Sequence, residues 1–484
     1  MLFNSYEFLL VYLPIVFIVY FWFGRKSDTW ARIWMVAASF FFYGWWDYQY
    51  VPLLFASITF NYFVGCRLEE TSRSKTWLCF GITVNFILLG IYKYTGFFLQ
   101  NVNDLMGAAF FNVPEIVLPL GISFFTFTQT AYLIDAYRGE TKNSSFLAYC
   151  EFVTVFPHLI AGPIINHRKM IPQFLTKENF CINYDNIAYG LTLISFGLFK
   201  KVIIADRIAE YVNNIFAQPD NLTLPEAWIG AVGYTLQLYF DFSGYSEMAV
   251  GLARMFNLHF PVNFDSPYRS LSIIDFWRRW HMTLGAWVRD YLYIPLGGNR
   301  QGELRKMFNL LVSMLLIGLW HGAGWTFVIW GGIHGVLLLI NHEWRRLEVQ
   351  IPKPFCWGIT FLAVTLAWVF FRASDNTAAC QIIRTMFDVS AFQLPNSRFC
   401  IEHQAFFESL GISLKPLSYM ADTEIGDHCS MLLGLLVLAV FCPNPIRLME
   451  KFRTNKRWLA TAVLLFIFSL IYMNSYTEFL YFQF

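Results

Sequence analysis

Charge is what this chain has least of. Only 14% of its 484 residues are Asp, Glu, Lys or Arg, against about a quarter in an ordinary soluble domain. A soluble protein of this length can bury a large core but still needs a charged surface, and here the missing surface must face lipid. The net charge of +2 excludes the basic footprint of a nucleic-acid binder. Catalytic signatures are missing too. No GxxxxGK[ST], HExxH or GxSxG is present, which removes P-loop ATPases, zinc peptidases and serine hydrolases of those types. The nine cysteines include no CxxC pair, and no metal site is expected. They read as small buried hydrophobes. Cys380, Cys400 and Cys429 share one polar loop without a spacing that specifies a disulfide. The N-terminus, MLFNSYEFLL, lacks a basic region and a small-residue cleavage site, so it reads as a first membrane helix and not as a removable signal.

What is present fits a bilayer. The chain is 56% hydrophobic and 19% aromatic, with 52 Phe and 17 Trp. Apolar runs occupy 8–23, 33–46, 50–65, 77–92, 114–134, 146–166, 186–205, 226–243, 307–320, 325–341, 355–371, 431–442 and 458–474. The expectation is one all-α membrane domain spanning 1–484, with roughly 11–13 membrane segments. Several runs are short, and Gly or Pro interrupts others, as at Pro157 and Ala161-Gly162-Pro163. Non-helical backbone at membrane depth is tolerated only where protein or a cavity surrounds it, so an internal site is expected.

Basic residues favour the cytoplasmic side. Five clusters are candidates: Arg25, Lys26 and Arg32; Arg67, Arg73 and Lys75; Arg300, Arg305 and Lys306; Arg345, Arg346 and Lys353; and Arg447 to Arg457. Residues 373–430 carry three basic and seven acidic residues and read as a polar extracytoplasmic loop. Both termini then lie outside. Between cytoplasmic clusters, 307–341 must be a helical hairpin with its apex at Gly318–Gly324. A helix from Met307 to Trp320 rises about 21 Å, which leaves His321 deep in the membrane and nearer the outer face.

An ionisable residue at that depth is costly and defaults to a functional-site hypothesis. His321 stands between Trp320 and Gly322-Ala323-Gly324, glycines that free the backbone and leave space beside the ring. A neutral imidazole is a good general base near neutral pH; a core histidine bonded to a helix carbonyl would show the same local sequence. His281 follows Ser272-Leu-Ile-Ile-Asp275, which has capping-box spacing with Asp in place of Glu or Gln. Trp277, His281, Leu284 and Val288 then share one face of an amphipathic helix at or re-entering the interface. The plainer reading of that helix is an interfacial anchor with a packed histidine. Asp241 ends an apolar run in Tyr239-Phe-Asp-Phe-Ser-Gly-Tyr-Ser-Glu247. It can orient an imidazole, bind substrate hydroxyls or pair with an arginine such as Arg269 or Arg278. His158 sits in an apolar segment, His334 reads as packing, and His167, His259, His342, His403 and His428 read as loop or interface residues.

The stretches FPHLIAGPI, QLYFDFSGYSEMAVGLA, FWRRWHMTLGAWVRDYLYIPLGGNR and GLWHGAGWTFVIWGGIHG resemble the membrane-bound O-acyltransferase family, and within it the alginate O-acetylation branch. The resemblance runs from MLFNSYEFLLVYLPI through VFFRASD to the terminal FLYFQF. It implies a ring of membrane helices around a thin centre with a funnel. It matches the family's motif histidines to His321 and His281, as base or acyl carrier and its companion. Asp241, Ser243, Tyr245 and Trp320 become candidates for supporting or substrate-binding roles. The implied reaction passes acetyl groups from a cytoplasmic donor, acetyl-CoA, across a bacterial inner membrane toward an exported polysaccharide. The implied polymer is of alginate type, peptidoglycan or cellulose. A separate periplasmic acetyltransferase of the SGNH type is the implied partner, with no permanently bound cofactor. Rival readings are D-alanyl or lipid acyl transfer by the same family, and a transporter, since broken helices with buried polar groups also mark transport sites. Transporters of that kind carry internal repeats, and none is detectable in this sequence.

Overall fold

The computed structural model describes residues 1–70, 73–141, 145–395, 402–409, 413–415, 425–473 and 480. Helix dominates throughout. Six helical stretches are long and apolar enough to cross a membrane: Glu7–Gly24, Tyr48–Glu70, Lys75–Met106, Tyr184–Phe216, Trp325–Arg346 and Lys353–Arg372. Shorter or more polar helices complete the bundle, among them Asp28–Gly44, Ile122–Arg138, Leu224–Met255, Glu303–His321, Ile425–Phe441 and Lys456–Tyr472. The expectation of an all-α membrane protein holds. Among the described residues the one departure is a small parallel pairing of Gln393–Pro395 with Ser413–Lys415 in the acidic loop. Cys380 and Cys429 are free thiols; Cys400 lies outside the described residues, as does all of the terminal FLYFQF except Leu480.

Large aromatic side chains fill the space between helices, and small residues bring other helices together. Leu224–Met255 lies against Tyr184–Phe199 where Gly244 meets Gly197 and Gly251 meets Gly190, and a Cβ at any of these would strike the facing backbone. Glu303–His321 meets Trp325–Arg346 in the same way, at Gly318 and Gly331. This small-residue contact is how helices associate in lipid, where apolar burial between helices gains little. Polar side chains add directional bonds. Asn61 and Asn85 exchange side-chain amide bonds at 3.1 and 2.6 Å, and Arg32 donates to Glu151 at 2.8 Å.

A series of contacts joins the five basic clusters on one face. Tyr20, near the first cluster, packs its ring 5.8 Å from Phe180. Asn257 donates to the carbonyls of Asn179 and Cys181, and Gln173 accepts from the His259 backbone. Arg168 pairs with Glu140 at 2.7 Å, Thr141 donates to Glu69 at 2.6 Å, and Arg138 reaches the Asp290 carbonyl at 3.1 Å. Thr454 donates to Asp185, and Arg447 grips Asp265 with two bonds of 2.8 and 2.7 Å. Arg346 stands 3.8 Å from Glu303. At the opposite face Arg372 donates to Asn213 and Trp228 to the Met386 carbonyl, so the acidic loop begins there. The basic clusters and the start of the acidic segment therefore lie on opposite faces of the bundle.

One segment breaks as expected. Phe146–Thr154 gives way to the single turn Phe156–Leu159. The segment holding His281 differs from its expected form. Ser272 does cap the helix Ile273–Trp277, its hydroxyl accepting from Asp275 N at 3.1 Å, but the helix stops there. A second helix, Met282–Val288, begins after His281, whose φ of 43° is left-handed. The single amphipathic helix is thus two short ones. His281 sits at the joint, where the chain turns back into the protein.

Candidate active site

His321 is the last residue of Glu303–His321 and is 4% exposed. Its ring is held edge-on by Trp320, Trp330 and Phe371, with centroids 4.8, 5.2 and 5.2 Å away. The space beside Gly322 is not open, because the Phe327 ring packs against it. That glycine admits an aromatic wall and leaves no room for substrate. Room lies on the other side. A cavity of about 430 Å³ is lined by residues that include His321, Trp320, Lys93, Gly121 to Phe124, Ile160, Ala161, Trp45, Trp46, Met1, Leu2, Ser5 and Glu7. Trp45 and Trp46 end the second helix on the side away from the basic clusters, so this cavity opens on the face opposite them.

His281 lies behind the same wall. It is fully buried, 4.8 Å from the Phe242 ring and 6.4 Å from Trp320. Trp320 touches both histidines, so the two imidazoles are within about 11 Å of each other. The expectation that His281 faces the cavity holding His321 needs correction, because the cavity lining includes His321 and Trp320 but not His281. The indole of Trp320 neighbours both rings, and His281 packs edge-on against Phe242.

A second cavity, of about 720 Å³, enters from the basic face between Ile164–Gln173, His259–Pro261 and Thr283–Tyr291, with Arg168, Lys169 and Arg289 in its lining. Three stacked rings separate it from the outer cavity. Trp287, in the lining of the basic-face cavity, lies parallel on Phe127 at 3.8 Å, and Phe127 stacks on Trp320 at 5.0 Å. The Trp287 indole N–H also donates to the Phe127 carbonyl at 3.0 Å.

The remaining expected residues are placed elsewhere. Asp241 does not end its helix but lies midway along Leu224–Met255. It pairs with Lys201 at 2.6 Å, not with Arg269 or Arg278, and accepts from Leu480 N at 3.2 Å. Lys201 also holds Asp206 at 2.8 Å. Ser243 accepts from Lys200, which pairs with Glu247 at 2.6 Å, and Tyr245 stacks on Phe3 at 4.6 Å. None of Asp241, Ser243 and Tyr245 lines either large cavity. His334 accepts from the Trp277 indole at 3.3 Å, in keeping with a packing role. His158 is held between the Pro163 carbonyl and Thr128. His167, expected at a loop or interface, is buried between Tyr132 and Phe152. Lys93 is the cavity residue that sequence reasoning passed over. It directly follows the apolar run 77–92, and the helix that holds it continues to Met106. Among the described residues no His, Cys, Asp and Glu group has the makings of a metal site.

Residues 112–374 match the family model described as MBOAT, membrane-bound O-acyltransferase family. The peptidoglycan O-acetyltransferase of Helicobacter pylori is 39% identical over all of this chain and 98% of its own. The probable alginate O-acetylase AlgI of Pseudomonas aeruginosa is 42% identical over 81% of this chain and 76% of its own. That of Pseudomonas putida is 37% identical over the full length of both. Both histidines and the three stacked rings of Phe127, Trp287 and Trp320 fall within the matched region. This chain belongs to the membrane-bound O-acyltransferase family.

Proposed function

We propose that this protein transfers acetyl groups from acetyl-CoA at the cytoplasmic face to an acceptor at the outer face, for O-acetylation of an exported polysaccharide. The observation that carries the reading is the pair of cavities, one from each face, meeting at a partition of three aromatic rings with His321 on the outer floor. A transporter needs a route for its whole cargo. An acyltransferase needs only that a thioester and a hydroxyl meet at one base. Arg168, Lys169 and Arg289 in the lining of the larger cavity, with Asp290 among them, suit the phosphates of a coenzyme A donor, and the positive-inside tendency supports a cytoplasmic position for that face.

In this reading His321 takes the proton of the acceptor hydroxyl as its oxygen attacks the thioester carbonyl, and the imidazolium returns the proton to the departing thiolate. The same ring can instead hold the acetyl group for one step as an acyl carrier. The helix Ile122–Arg138 begins in the cavity wall, through Gly121, Ile122 and Ser123. The amide groups of its first turn, at the positive end of the helix dipole, suit the developing oxyanion. The hydroxyl belongs to the polymer or to a separate periplasmic SGNH-type acetyltransferase that completes the transfer. Full-length similarity to proteins named for peptidoglycan and for alginate supports a polysaccharide as the final acceptor.

The test is the acetate released by mild alkali from exported polymers of cells with and without this protein. Loss of polymer-bound acetate on deletion, restored by the parent gene and not by a His321→Gln form, is the expected result. Unchanged acetate in every wall and exopolysaccharide fraction overturns the reading.

A further inference from the structure

The carboxyl end of Glu303–His321 is completed from another part of the chain. A helix leaves its last four carbonyls without intrahelical partners. Here Gly318 O accepts from Gly322 N at 3.3 Å. Leu319 O accepts from the Tyr94 hydroxyl at 2.9 Å. Trp320 O and His321 O both accept from Lys93 Nζ, at 2.5 and 3.1 Å. All four are accounted for, three of them by two consecutive residues.

Lys93 and Tyr94 can do this because Gly90–Tyr94 is a π-helical turn inside Lys75–Met106. Such turns occur mostly as isolated insertions at functional sites, where they shift the register of the side chains that follow. Lys93 also reaches Ser123 Oγ at 3.4 Å, at the start of the helix that forms the cavity wall, and it lines the cavity together with His321. A lysine at membrane depth is costly, and a hydroxyl would suffice merely to cap a helix.

We propose that Lys93 is the positioning residue of His321. Its amino group ties the carbonyls of Trp320 and His321 to the Ser123 side of the cavity and fixes where the imidazole meets the substrate. The proposal rests on the reading of His321 as the reacting group. A displacement of about 1 Å at a reacting group can cost a hundredfold in rate, which sets the expected effect.

The experiment compares Lys93→Met, Lys93→Arg, His321→Gln and the double variant Lys93→Met/His321→Gln in cells lacking the parent gene. It reads polymer-bound acetate per folded, membrane-inserted protein. Lys93→Met is expected to lose about a hundredfold. Lys93→Arg, which keeps donors for both carbonyls, is expected to recover at least about tenfold over Met. The double variant is expected to be no worse than His321→Gln alone, because a residue acting through His321 has nothing left to act on. With purified protein in lipid nanodiscs and acetyl-CoA as the probe, Lys93→Met should lower kcat and leave KM within about twofold, the signature of an interaction used only in the transition state. The proposal is overturned if folded Lys93→Met acetylates at the parent rate, if Lys93→Arg is no better than Met, or if the two single losses multiply in the double variant. If the parent itself restores no polymer acetate, it is the acetyl-transfer reading that fails, and that result is distinguishable from any of these.

Discussion

Replacing His321 with glutamine separates chemistry from structure. The glutamine side chain is polar and of similar reach, but it can neither accept a proton as a base nor carry an acetyl group. The surroundings tolerate it. The imidazole is held by ring edges of Trp320, Trp330 and Phe371, and the backbone is fixed through its own carbonyl by Lys93. Loss of those ring contacts should cost about 1 kcal/mol, within the ordinary range for a point substitution. Removal of a general base costs about 10²–10⁴-fold in rate, or roughly 3–5 kcal/mol of transition-state stabilisation. The variant should therefore insert, run as the parent does in size-exclusion chromatography and leave polymer-bound acetate at one-hundredth or less. His321→Ala should fail equally while losing more stability. If folded His321→Gln acetylates at the parent rate, the ring is structural and the mechanism is wrong.

Three further outcomes follow from the geometry. His281→Ala leaves a hole at a fully buried position and should cost about 2–4 kcal/mol, so it lowers folded yield as well as acetylation. His281→Asn tolerates the left-handed backbone better, and its acetylation per folded molecule reports the histidine's own part; parent-level activity there would remove His281 from the reaction. Asp241→Asn or Lys201→Met alone breaks a buried ion pair and should cost about 3–5 kcal/mol, seen as lost protein in membranes. If Asp241→Asn instead accumulates normally and is inactive, Asp241 supports catalysis directly. Cysteines introduced at 449–456 of a cysteine-free form should resist an impermeant maleimide applied to intact cells, whereas one at Leu105, 85% exposed near the opposite face, should react. Outside labelling at 449–456 would reverse the assigned orientation.

The sequence by itself determined the class of solvent. A chain with so little charge has no surface to offer water, and its apolar runs are long enough to have only one use. It also determined which residue to suspect first, because His321 interrupts such a run at a depth where an ionisable group is costly. The gathering of the basic clusters on one face of the bundle was legible as well, since they recur at intervals that an even number of crossings can reconcile. Local sequence could not reveal what depends on neighbours far along the chain. Asp241 looked like a site carboxylate until Lys201, forty residues earlier in the chain, was seen to pair with it. His281 looked like one position on a helix face, because periodicity cannot register a single left-handed residue that ends one helix and starts another. Lys93 drew no notice, because a π-turn leaves no compositional mark. The meeting of two cavities at Trp287, Phe127 and Trp320 joins residues up to 193 positions apart, from Phe127 to Trp320. Only tertiary packing could decide that, because which rings stack depends on how separate helices are brought together, and no local pattern encodes it.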